Sequence, residues 1–203
     1  MSNQRSNKRQ FVINTGGFSL PELLIVLIIA AIIAVYAIPQ IISSKRLISF
    51  SAMKQQVSTV IRETRQDAIS QRKPISLRYD DSTKEIVISG GKYGIPGATT
   101  NRIIALSSGG MFDGDIIYGR PSGVAAAPLG DSTTETNLTA GVIDITFQGD
   151  GSVRDASDNP ADNALYFYHN VLGKNSAFAV SILGSSGRVK IWTYSPSSGT
   201  YVE

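Results

Sequence analysis

Residues 23–44 carry no charge, and residues 23–38 are apolar without interruption. As a helix this stretch is long enough to cross a bilayer core of about 30 Å, and that possibility governs every other reading of the chain. A basic start followed by an apolar run also fits a cleaved secretory signal. Three features oppose that alternative. A strict Ala-x-Ala site is missing, with Val35-Tyr36-Ala37 the loosest of matches. Apolar character continues past it through Ile41 and Ile42, and an acid, Glu22, stands immediately before the run. Arg5, Lys8 and Arg9 precede the segment and Lys45, Arg46 and Lys54 follow it. The positive-inside comparison is close to a tie, so charge does not orient the helix.

The net charge of +3 comes from the first 17 residues. They hold three basic residues and no acid; without them, sixteen Lys and Arg face sixteen Asp and Glu. A general basicity that would seek nucleic acid is therefore absent. The charge is instead divided along the chain. Residues 45–78 hold eight basic and two acidic side chains, whereas residues 79–203 hold eight basic and thirteen acidic. A basic stalk carries an acidic head, a pattern suited to packing between neighbouring subunits or simply to solvation. The absence of cysteine removes disulfides, thiol nucleophiles and cysteine metal sites.

The lip of the apolar run reads Gly16-Gly17-Phe18-Ser19-Leu20-Pro21-Glu22. Glycine resists continuing a helix backward into the residues before it. Pro21 lacks a backbone donor, which a helix tolerates in its first turn, so a helix should begin near Ser19. Ser19-x-x-Glu22 also matches a capping box, in which the glutamate serves only its own helix end. In its glycine, phenylalanine and glutamate spacing the segment resembles the class III signal of type IV prepilins and type II secretion pseudopilins. Pro39 falls where pilins commonly bend this helix, while Pro21 stands where they more often carry an aliphatic residue.

That resemblance implies a 17-residue leader, cut by a prepilin peptidase between Gly17 and Phe18, with N-methylation of Phe18. It implies that Glu22 meets the free amine of a neighbouring subunit's first residue. An ionisable group at membrane depth is costly and usually has a functional partner. The alternative is an unprocessed single-span membrane protein in which Glu22 is only a cap.

Beyond Pro39, Leu47, Phe50, Met53, Val57, Ile61, Thr64 and Ala68 recur at helical spacing and give one apolar stripe for packing on a domain. Lys73-Pro74 should end the helix. Counted over residues 18–73, such a helix would be about 84 Å long. After Pro74 the pattern turns to strands. Residues 75–79 and 85–89 form a hairpin around Asp80-Asp81-Ser82-Thr83. Further strands are expected over 102–106, 115–118, 142–147, 165–169, 177–183 and 188–194, the last two joined by Gly184-Ser185-Ser186-Gly187. Residues 122–140 read as a long surface loop. The expected fold is α+β, a long N-terminal helix on an antiparallel sheet. Its parts are a leader (1–17), a transmembrane half-helix (18–44), an amphipathic half-helix (45–73) and a β-rich head (74–203). The segments 64–77 and 145–152, with 180–182 and 187–191, resemble the GspH/FimT group of minor pseudopilins and minor pilins. The resemblance implies a structural subunit of a secretion pseudopilus or pilus tip, held in the bacterial inner membrane with a periplasmic head. Its partners would be other pilin-like subunits and the peptidase.

Catalytic chemistry is thinly supplied. The single histidine, His169, ends an aromatic strand and reads as a packing residue. Asp150, Asp155, Asp158 and Asp162 could offer oxygens to calcium, but the EF-hand order fails because Arg154 holds the fifth position and no Glu the twelfth. Gly184 to Gly187 lacks the Lys and helix of a phosphate loop. No enzyme, metal or cofactor is expected. Arg188, Lys190, Trp192 and Tyr194 alternate on one strand as a possible platform for single-stranded DNA, in which stacking and charge would act together. This supports an alternative role as a FimT-like DNA-binding minor pilin. Against it, the tail 195–203 holds no Lys or Arg and ends in an acid, and an edge-strand pattern that packs and stays soluble accounts for these residues instead.

Overall fold

The computed structural model describes residues 17–95, 101–107, 113–129 and 135–203. Residues 1–16, and with them nearly all of the expected leader, lie outside the described residues. The chain divides into two compact units, Met1–Ile42 and Ser43–Glu203.

One helix, α1 (Leu20–Gln71), spans 52 residues and contains Pro39. In the first unit every described large apolar side chain of α1 is exposed, from Leu20 through Ile42. In the second unit α1 turns amphipathic. Phe50, Met53, Val57, Ile61, Thr64 and Ala68 are buried, as their spacing predicts. Ser58 and Val60 join them, so the buried stripe is wider than the expected line. Leu47 does not belong to it: the side chain is 50% exposed, and burial starts one turn later at Phe50. The helix ends two residues before the expected Lys73. Arg72 takes a left-handed conformation, φ 51°, its N–H bonds Ile69 O (3.2 Å) and the N–H of Lys73 bonds Ala68 O (3.3 Å). This pairing is a Schellman closure, which satisfies carbonyls that the last turn would leave free.

Two antiparallel sheets follow. The first has the order β3 (Arg102–Ala105), β2 (Glu85–Gly90), β1 (Ile75–Asp80), β5 (Val142–Phe147). The β1–β2 hairpin forms where the turn residues predicted it, with Asp80 Oδ1 accepting from the Ser82 N–H (2.8 Å) and hydroxyl (2.6 Å). On its other side β1 pairs with β5. Cross-strand partners Ser76 and Thr146 share a hydroxyl bond of 2.8 Å, and Arg78 grips both oxygens of Asp144. The second sheet has the order β4 (Ile116–Tyr118), β6 (Asn163–His169), β7 (Gly173–Leu183), β8 (Arg188–Ser195), β9 (Thr200–Val202). The expected α+β fold, a long helix packed on antiparallel strands, is present, with the strands divided between two sheets.

One core joins the stripe of α1 to Ile75, Leu77 and Tyr79 of β1 and to Phe167, Phe178 and Val180 of the second sheet. Phe50 packs edge-on against Phe178, with ring centres 5.5 Å apart. A second cluster lies on the opposite face of the second sheet, since strand side chains alternate between faces. There Ala164, Tyr166, Ala179, Trp192, Tyr194 and Tyr201 are covered by Val124, Ala127 and Leu129. Within the stretch expected as a surface loop, residues 124–129 therefore lie as a strap on the sheet. Its residues 130–134 lie outside the described residues.

Candidate functional site

Two places gather the residues singled out in the sequence: the start of α1 and the outer face of β8. At the start of α1, Ser19 provides the first helical acceptor, taking the Leu23 N–H at 3.1 Å. Pro21 occupies the first turn, where its missing donor costs nothing because first-turn N–H groups have no intrahelical partner. Glu22 is the acid of that turn, near the positive end of the helix dipole. Among the described residues neither the Glu22 carboxylate nor the Ser19 hydroxyl makes a hydrogen bond or ion pair, so the capping box is not formed. Gly17 is exposed with open space around its Cα, and Phe18 is 77% exposed. This arrangement presents one carboxylate, an accessible glycine–phenylalanine bond and an adjoining helix surface that is apolar all round.

On β8, Arg188, Lys190, Trp192 and Tyr194 do share one face, but that face is occupied. Trp192 and Tyr194 are each only 8% exposed, buried in the second cluster, and Trp192 Nε1 donates to Ser181 Oγ at 2.9 Å. The expected stacking platform is corrected on this point, because rings covered by the strap offer no face to a base. Lys190 pairs with Glu203 and lies 5.3 Å over the Trp192 ring. Arg188 is exposed and pairs with no carboxylate among the described residues. Sequence reasoning missed β9, which buries Tyr201 and leads directly to Glu203. The signal was present in Pro196-Ser197-Ser198-Gly199, a turn followed by Thr200-Tyr201-Val202.

Three of the four aspartates considered for calcium accept backbone N–H groups. Asp150 accepts from the Ser152 hydroxyl and N–H, bonds that hold its carboxyl below the ordinary range. Asp155 Oδ1 accepts from the Ser157 and Asn159 N–H groups, and Asp162 from that of Gly184 (2.6 Å). Arg154 lies between Asp150 and Asp158, 3.7 and 3.6 Å away. Among the described residues no group of three or more metal-ligating side chains is assembled.

No protein-family model matches the chain, and no curated protein matches it. Among solved structures it is similar to the type IV minor pilin FimU of Pseudomonas aeruginosa PAO1 in two crystal forms. Both comparisons give 18% identity and a TM-score of 0.45. They cover 76% of this chain and 92% of FimU in one form, and 75% and 97% in the other.

Proposed function

We propose that this chain is a structural subunit of a pilin-like assembly, a minor pseudopilin or minor pilin of the GspH/FimT kind, and not an enzyme. A prepilin peptidase cuts between Gly17 and Phe18, Phe18 is N-methylated, and α1 holds the subunit in the bacterial inner membrane with its head in the periplasm. Glu22 then receives the amine of a neighbouring Phe18 when the subunit enters a type II secretion pseudopilus or a type IV pilus tip. The reading is carried by one observation. A carboxylate with no partner among the described residues stands five residues after Gly17, at the head of an apolar helix. Its amine partner exists only after cleavage, which couples maturation to assembly.

Mass spectrometry of the protein purified from its membrane tests the processing step. The expected mature chain begins with N-methylated Phe18, and Gly17→Ala or a larger side chain leaves the leader attached. A chain beginning near Ile38 overturns the reading in favour of an ordinary signal peptide. Glu22→Gln separates charge from size. It is expected to insert and mature normally while co-purifying poorly with other pilin-like subunits; wild-type incorporation would show that the charge is dispensable.

A further inference from the structure

The arginines of the second unit fall into two classes. Arg78, Arg102, Arg120 and Arg154 each pair with carboxylates of the same chain. Arg46, Arg62, Arg65, Arg72 and Arg188 pair with none among the described residues, and of these Arg62, Arg65 and Arg188 line one groove of about 500 Å³ between α1 and the β7–β8 turn. Gln66, Ser186 and Val189 complete its walls.

The groove is built around Arg65. Its Nε donates to Gly151 O (3.3 Å) and its Nη2 to Ser186 O (2.9 Å), which fixes the guanidinium plane and leaves Nη1 unused. Gly187 and Gly151 make room for it, at φ 63° and 85°. A Cβ on Gly187 would sit 1.9 Å from Gly151 O and 2.7 Å from Arg65 Nε. Arg62 lies one helical turn earlier on the same face. Arg188 follows directly after Gly187. Three planar forks, one of them immobilised, suit bidentate carboxylate recognition more than a single exposed lysine does.

We propose that this groove docks a carboxylate-bearing turn on the head of a second copy of the chain. Residues 79–203 hold thirteen acids against eight basic residues, so a copy brings the charge the groove lacks. The Asp155 carboxylate, on an exposed residue and held by two backbone N–H groups with no basic side chain paired to it among the described residues, shows that acid is presented outward on that head. A nucleic-acid strand would leave the groove and run on across the same acidic surface, whereas an acidic turn ends where it docks. A groove on one copy meeting a different surface on the next is a heterologous contact, which forms a ring where its rotation closes and propagates where it does not. The inference does not require the N-terminal processing proposed above.

The test uses the full chain in detergent micelles, mixing ¹⁴N- and ¹⁵N-labelled protein. Arg62→Lys retains the charge and places an amine in the groove; Arg62 is exposed and makes no hydrogen bond there, so the fold should survive. A carbodiimide then joins that amine to any carboxylate in direct contact. The expected product is a mixed-isotope link from position 62 to an Asp or Glu of residues 79–203. Its yield should fall several-fold in high salt, where screening is strong, and again with Arg188→Gln, but not with Arg78→Gln. Absence of the mixed-isotope link, or a yield indifferent to Arg188→Gln, overturns the proposal. So does a single-stranded oligonucleotide that binds through Arg188 and displaces the link, which would assign the groove to nucleic acid.

Discussion

His169 is fully buried, edge-on to Phe50 of α1 with ring centres 5.8 Å apart. Its Nδ1 accepts the Val171 N–H at 3.1 Å, so the neutral ring carries its proton on Nε2, which has no partner among the described residues. Burial lowers its pKa from 6.5, nearby Asp115 opposes that shift, and Arg46 adds to it. Charging the ring would also take away the acceptor that Val171 uses. The sign of the linkage follows directly. The unfolded chain takes up this proton near pH 6.5 and the folded chain only at lower pH, so stability is complete above 6.5 and declines as pH falls below it. Thermal unfolding of the chain in mild detergent, followed by near-ultraviolet circular dichroism, should show this decline. His169→Gln should flatten it; an unchanged slope would mean other groups carry the acid sensitivity. The sequence read this residue as packing, and its position beside Phe50 gives that reading its physical content.

At the scale of elements, the strap depends on one buried bond. The Tyr166 hydroxyl accepts the Ala127 N–H at 3.0 Å, and Arg120 lies 5.8 Å over the same ring while donating to Val124 O. Tyr166→Phe keeps the ring and leaves that N–H unsatisfied, a penalty of about 1–3 kcal/mol. Amide exchange over residues 124–129 should accelerate while β1 and β7 stay protected; uniform acceleration would show the strap and sheet to be one cooperative element. The strap also marks where sequence reading stops. The stripe of α1 and the β1–β2 and β7–β8 hairpins were legible because spacing and turn residues are local. Val124-Ala125-Ala126-Ala127 has no period and no large side chain, and only the sheet opposite it decides its burial. The same distant partner hid the fate of Trp192 and Tyr194: alternation placed them correctly on one face without revealing what covers it. The arginine groove was equally invisible, because it depends on Gly151 and Gly187 meeting Arg65 from distant parts of the chain. At the start of α1 the opposite holds, since Gly17, Phe18 and Glu22 are defined by spacing alone.

In the whole molecule, the second unit has a core to which α1 and both sheets contribute. Ile61 is completely buried within it. Ile61→Ala should cost about 2–5 kcal/mol through lost burial and a residual cavity. Hydrogen exchange should show β1 and β7 loosening together; loosening of one sheet alone would mean that the sheets unfold independently. The wiring of this unit has a temporal consequence. Residues 124–129 leave the ribosome before β6, β7 and β8, the strands they cover, exist. β1 likewise waits for β5, which lies more than sixty residues downstream. Such distant pairings fold slowly and leave unfinished surfaces open to aggregation. A strap of alanines, with only Val124, Pro128 and Leu129 larger, is mild enough to wait in water and small enough to lie flat once its sheet arrives. The plainness that made it read as an ordinary loop is what makes it safe to synthesise early.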